Sequence, residues 1–165
     1  WAALMHRWGK LTLDARVFPA AALAMDRPNP RNALGTALLS SATACADISD
    51  GLAQDLGHIL ERSGVDADVL WDAVPKHPAL AALSQEQQVE AAMSGGDDYE
   101  LVFTAPADKR GLIEQASISA LTPVTRIGRI VEKKPSGAPL AIRDASGRPL
   151  FLPVQGFDHF AQSAD

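Results

Sequence analysis

The chain has 165 residues, 47% of them hydrophobic and 21% charged, with a formal net charge of −5. Such a balance predicts a folded domain with its own core. The mild acidity disfavours a nucleic-acid binder, which is usually basic. A single cysteine, Cys45, excludes an internal disulfide, and no apolar run nears the roughly 18 residues of a membrane helix.

The first residue is Trp1, and the opening lacks the basic-then-apolar order of a signal peptide. The expectation is a piece of a longer, cytoplasmic protein. Trp1, Leu4, Met5 and Trp8 recur at helical spacing and predict an amphipathic helix over residues 1–8. A short helix over 20–25 must stop at Arg27-Pro28-Asn29-Pro30-Arg31, because proline removes a donor and restricts the residue before it. That connector is the candidate domain edge, although a plain surface turn has the same composition. Residues 32–41 predict a helix with Asn32 as its N-cap. Residues 44–48 predict a short buried strand, with Cys45 as a small core residue. On 52–62, Leu52, Leu56, Ile59 and Leu60 share one helical face, and Gly64 ends the helix.

Residues 66–71 alternate imperfectly and predict a strand. Pro75 and Pro78 break the chain, and a helix over 83–93 follows, with Ser84 and Gln87 at capping-box spacing. After a turn at Gly95-Gly96, a strand is expected over 99–104. A helix over 107–116 and strands over 124–131 and 140–143 complete the pattern. The tail Gly156-Phe157-Asp158-His159-Phe160 reads as irregular. The expected fold class is α/β, an α+β sandwich in which a mixed β-sheet is covered by helices.

Three segments could carry chemistry. Asp47-Ile48-Ser49-Asp50-Gly51 sits where a strand hands over to a helix. Carboxylates belong at such an exit because they are costly to bury. Amides at a helix N-terminus favour anions, and two acids three residues apart can hold Mg²⁺ together with phosphate oxygens and water. The plainer reading is an ordinary N-cap with Asp47 solvated. Ser94-Gly95-Gly96-Asp97-Asp98-Tyr99-Glu100 sets a double glycine before three acids. Strand alternation would put Asp98 and Glu100 on one face and Asp97 and Tyr99 on the other; a tight turn with solvated acids is the simpler alternative. In the tail, Phe157 could stack on a flat heteroaromatic ring or simply pin the chain end to the core. Asp55 and His58 have a spacing that metals use, but a helix-surface hydrogen bond is the simpler role for His58. No Walker A loop, dinucleotide glycine motif or protein-kinase signature is present.

Taken together, Arg27-Pro28-Asn29-Pro30-Arg31, Asp47-Ile48-Ser49-Asp50-Gly51-Leu52, Asp55-Leu56-Gly57-His58-Ile59-Leu60, Ser94-Gly95-Gly96-Asp97-Asp98-Tyr99-Glu100-Leu101 and Gly156-Phe157-Asp158-His159-Phe160 resemble the thiamine-monophosphate kinase family, in that order and at similar spacing. The resemblance implies a domain like the carboxy-terminal domain of aminoimidazole ribonucleotide synthetase. Residues 1–30 would be a lead-in and connector from a missing amino-terminal domain, and 31–165 the kinase domain. It also implies ATP- and Mg²⁺-dependent phosphorylation of thiamine monophosphate, and a homodimer formed through the missing half. No nucleic acid or membrane is implied as a partner.

Residue by residue, Asp47 and Asp50 match metal ligands, Ser49 matches an ATP contact, and Asp97 and Phe157 match substrate contacts. The family usually has Glu at the position of Asp97 and often Tyr or Trp at that of Phe157. No residue is assigned as a general base, since a phosphate monoester is already largely ionised at neutral pH. Two alternatives are another ATP-using enzyme of the same superfamily and a noncatalytic nucleotide-binding module.

Overall fold

A computed structural model describes residues 1–150. Helix α1 (Ala2–Arg7) leads into α2 (Phe18–Asp26), α3 (Asn32–Leu38), strand β1 (Ala44–Asp47) and helix α4 (Leu52–Ser63). Strand β2 (Val65–Leu70), helix α5 (Gln85–Val89), strand β3 (Leu101–Thr104), helix α6 (Arg110–Ser119) and strands β4 (Gly128–Glu132) and β5 (Leu140–Arg143) follow. No helix among the described residues is long and apolar enough to cross a membrane.

The strands form two sheets. In the first, β1 and β3 pair antiparallel, with Asp47 opposite Leu101. In the second, β2 lies between β4 and β5, antiparallel to β4 and parallel to β5. The mixed sheet expected from the order of elements is therefore present.

The apolar face of α4 explains where the core lies. Leu52, Leu56, Ile59 and Leu60 are all buried, together with Val69, Trp71, Met93, Val102 and Ile142. Full burial of each such side chain contributes about 1.5–3 kcal/mol before entropy is subtracted. Ala44 and Ala46 of β1 pack against this cluster. Leu101 and Phe103 of β3 instead meet Leu34, Leu38 and Ala116, where α3 and α6 cover the small sheet. A third cluster joins α1 and α2 to Leu11, Leu13 and Ala79.

Several local expectations change. Strand β1 is only half-buried: Cys45 is exposed, because alternation sends Ala44 and Ala46 inward and Cys45 outward. Asn32 lies inside the first turn of α3; Arg31 precedes it and no side chain caps the helix. The Ser84 capping box forms as expected, but α5 is short and passes into a π-helical turn over Glu90–Ser94. Asp66 of β2 is buried, and its carboxylate accepts the Lys134 N–H at 2.9 Å.

Candidate functional site

The turn between β1 and α4 is folded by its own neighbours. Its backbone reverses at Gly51, where φ is +116°. A Cβ there would lie 2.9 Å from the Ser94 carbonyl carbon, so both conformation and space require glycine. Gly96 approaches from the other segment: a Cβ on it would lie 2.2 Å from the Ser49 carbonyl oxygen.

Three backbone hydrogen bonds close the contact. Asp97 N–H donates to Ser49 O at 2.9 Å, Tyr99 N–H to Ile48 O at 2.9 Å, and Ile48 N–H to Glu100 O at 2.8 Å. Two segments about fifty residues apart in sequence are thus one structural unit.

On that unit Asp47 is exposed at the end of β1, while Ser49 and Asp50 are half-buried. The Gln54 side-chain amide donates to Asp50 Oδ2 at 3.3 Å. Asp97 is exposed and accepts from the Tyr99 hydroxyl at 3.2 Å. That bond, and then the charge of Asp97, raises the Tyr99 phenol above its ordinary range. Asp98 keeps exposed surface, yet desolvation by surrounding protein raises its carboxyl, and Glu100 and Asp97 add to the rise. Phe157 lies outside the described residues.

The expected alternation over residues 97–100 does not occur. Asp97 and Tyr99 have φ of +63° and +53°, so the segment coils and β3 starts only at Leu101. Left-handed backbone is uncommon outside glycine, and Asp tolerates it better than most residues. The Asp55–His58 pairing also dissolves: Asp55 is buried and His58 exposed, on different sides of α4.

Asp55 has a role that its spacing from His58 obscured. Its Oδ2 accepts the N–H groups of Ser49 at 3.0 Å and Asp50 at 3.1 Å. The anion expected at this helix start is therefore the chain's own carboxylate. Those amides are thus occupied, while Asp47 stays exposed and Ser49 and Asp50 stay half-buried. An acid in the first turn of a helix, a few residues past a polar loop, was the available sequence signal. Arg31 was also missed: its guanidinium grips Glu100 through Nε to Oε2 at 2.9 Å and a second nitrogen to Oε1 at 2.6 Å.

A magnesium ion suits the donor set of this turn, since Asp47, Ser49 and Asp50 present hard oxygen atoms. Among the described residues no group of three or more His, Cys, Asp or Glu could hold a metal. Mg²⁺ is commonly bound by one or two carboxylates, with phosphate and water completing its shell.

An α/β domain with a mixed sheet and an acidic strand-to-helix turn clamped by a double-glycine loop is the class defined by fold and site. The chain belongs to the family of AIR synthase related proteins, C-terminal domain, which matches residues 2–139. It is 42% identical over 139 residues to a thiamine-monophosphate kinase of Haemophilus influenzae, spanning 83% of this chain and 42% of that protein. A solved thiamine-monophosphate kinase from Stenotrophomonas maltophilia superposes with a TM-score of 0.72 at 40% identity, covering 85% of this chain and 45% of the other. AaThiL complexed with AMPPCP and TMP superposes with a TM-score of 0.71 at 26% identity, over 96% of this chain and 47% of that one. The chain thus spans less than half the length of these relatives.

Proposed function

We propose that this chain is the carboxy-terminal half of a thiamine-monophosphate kinase, which forms thiamine diphosphate from thiamine monophosphate and ATP. The observation that carries the reading is the clamp between the two acid-bearing segments, through the Asp97 N–H to Ser49 O bond and the Gly96 contact. It brings the segment of Asp47, Ser49 and Asp50 against the segment of Asp97, which supports a site that takes metal, phosphate and a cationic substrate. The identity to thiamine-monophosphate kinases and the likeness to AaThiL complexed with AMPPCP and TMP support it.

In this reading Asp47 and Asp50 hold Mg²⁺, Ser49 orients a phosphate of ATP, and Asp97 and Phe157 position thiamine monophosphate. Magnesium supplies charge neutralisation between two anionic phosphates, which otherwise repel. A substrate phosphate oxygen bonds to the γ-phosphorus in line as the bond from that phosphorus to the ADP oxygen breaks. No general base is needed. Residues 1–30 act as lead-in and connector, and 31–165 as the kinase domain. The packing of Leu11 and Leu13 with Ala79 anchors the lead-in. The remaining metal ligands, the rest of the nucleotide site and a homodimer interface belong to an amino-terminal domain, so residues 1–165 by themselves are inactive. The enzyme works in the cytoplasm.

The test is thiamine diphosphate formation by the full-length protein, followed chromatographically with Mg-ATP and thiamine monophosphate. Asp50→Asn is expected to lower turnover and to raise the Mg²⁺ concentration required. Unchanged turnover and Mg²⁺ dependence would refute the metal role.

A further inference from the structure

We propose that Asp55 is a positioning residue for the metal-binding turn, acting through the backbone of Ser49 and Asp50. This rests on the metal role proposed for Asp47 and Asp50. Asp55 is only 6% exposed, and burying a carboxylate is costly unless strong donors compensate. Here the compensation comes from two consecutive amides of the turn, both donating to Oδ2. At 3.0 and 3.1 Å both are ordinary hydrogen-bond lengths, and they satisfy a side chain that solvent barely reaches.

The same stretch is held from its other side, where Ser49 O accepts the Asp97 N–H. The Ser49-Asp50 stretch therefore lies between α4 beneath and the double-glycine loop beside it. Its two N–H groups turn inward to Asp55. The side chains of Ser49 and Asp50 keep partial exposure. Asp55 and a phosphate would compete for the same amides, so the turn addresses phosphate through a bridging cation and the Ser49 hydroxyl. A helix-starting residue with no further purpose would stabilise α4 equally well, but its loss would leave metal affinity unchanged once folding is allowed for.

The experiment compares full-length wild type, Asp55→Ala, Asp55→Asn and Asp55→Glu by Mn²⁺ binding alone, read by electron paramagnetic resonance. Hydrogen exchange of the Ser49 and Asp50 amides and the melting temperature are read alongside. Asp55→Ala is expected to weaken Mn²⁺ binding about tenfold, the usual scale for groups that orient metal ligands, and to deprotect both amides. Asp55→Asn keeps an oxygen for both donors and is expected to retain protection and most of the affinity. Asp55→Glu keeps the charge but displaces it by a methylene, and is expected to weaken binding while the protein stays folded. If Asp55→Ala does not fold, the Asn and Glu variants decide the matter.

Mn²⁺ affinity within twofold of wild type in Asp55→Glu, despite deprotected amides, overturns the inference alone. So does an Asn variant that binds weakly while its amides stay protected, because charge rather than position would then govern. A wild-type protein that takes up no Mn²⁺ overturns the metal role of Asp47 and Asp50, and the inference with it.

Discussion

Arg31 and Glu100, 69 residues apart, form a two-pronged ion pair with contacts of 2.9 and 2.6 Å. It ties the end of the proline-rich connector to the loop that clamps the acidic turn. Glu100 also supplies the carbonyl that accepts the Ile48 N–H, so the pair bears on the same turn from two directions. Both side chains keep some solvent exposure, 28% and 48%. A double-mutant cycle of Arg31→Ala and Glu100→Ala in urea unfolding is expected to give a coupling of about 0.5–1 kcal/mol, shrinking as salt is added. A coupling of zero at low salt would mean the pair is incidental.

Two glycine substitutions should act in opposite directions. Gly96→Ala places a methyl group against the Ser49 carbonyl oxygen, and overpacking of that kind costs about 1–3 kcal/mol. Gly57 lies within α4 with no atom near its missing Cβ. Gly57→Ala should therefore stabilise the fold by about 0.5–1 kcal/mol through helix propensity. Denaturant midpoints at equal slope measure both.

Asp97→Asn should preserve the fold and lose binding. Asn accepts the left-handed backbone at this position as readily as Asp, so stability should stay within about 0.5 kcal/mol. The carboxylate charge is lost, and the KM for thiamine monophosphate is expected to rise more than kcat falls. An unchanged KM would overturn the substrate contact proposed for Asp97. Asp97→Glu, which lengthens the acid by a methylene, tests whether the left-handed backbone here requires the shorter side chain.

Asp144 should titrate near pH 2. Its carboxylate takes the Ser146 hydroxyl and N–H at 2.6 and 2.9 Å, and the N–H and Nε of Arg148 at 2.9 Å each. The Ser146 hydroxyl contributes most to lowering its pKa from 3.8 to about 2. A depressed carboxyl stabilises the fold fully above its ordinary pKa, and that contribution disappears as pH falls through the folded value. The turn that returns the chain from β5 should thus weaken between about pH 4 and pH 2. Carboxyl NMR of wild type and Asp144→Asn checks the midpoint, and one near the ordinary carboxylate value would contradict the bonding at this turn.

Elements whose signals are local were legible in the chain itself. Helical spacing placed α4, a glycine closed it, and Ser84 with Gln87 announced a capping box that forms. The acidic turn after β1 was legible because a strand-to-helix handover has a recognisable composition. Strand limits were less so: β3 starts two residues late, since hydrogen bonds to Ile48 and Ser49 hold Asp97 and Tyr99 in left-handed backbone. Cys45 looked like core because its neighbours are apolar, but a strand covered differently on its two faces can expose alternate residues.

Sequence alone determined the sheet-and-helix composition, the buried face of α4 and the two acid-bearing motifs, all of which depend on residues within a turn or two of each other. Only the tertiary structure decided that Gly96 meets Ser49, that Arg31 grips Glu100, and that Asp55 rather than an outside anion occupies the amides of the turn. The reason is physical: a hydrogen bond or close approach between distant segments depends on how the whole chain packs, and no local pattern of residues encodes which partner will be brought within reach.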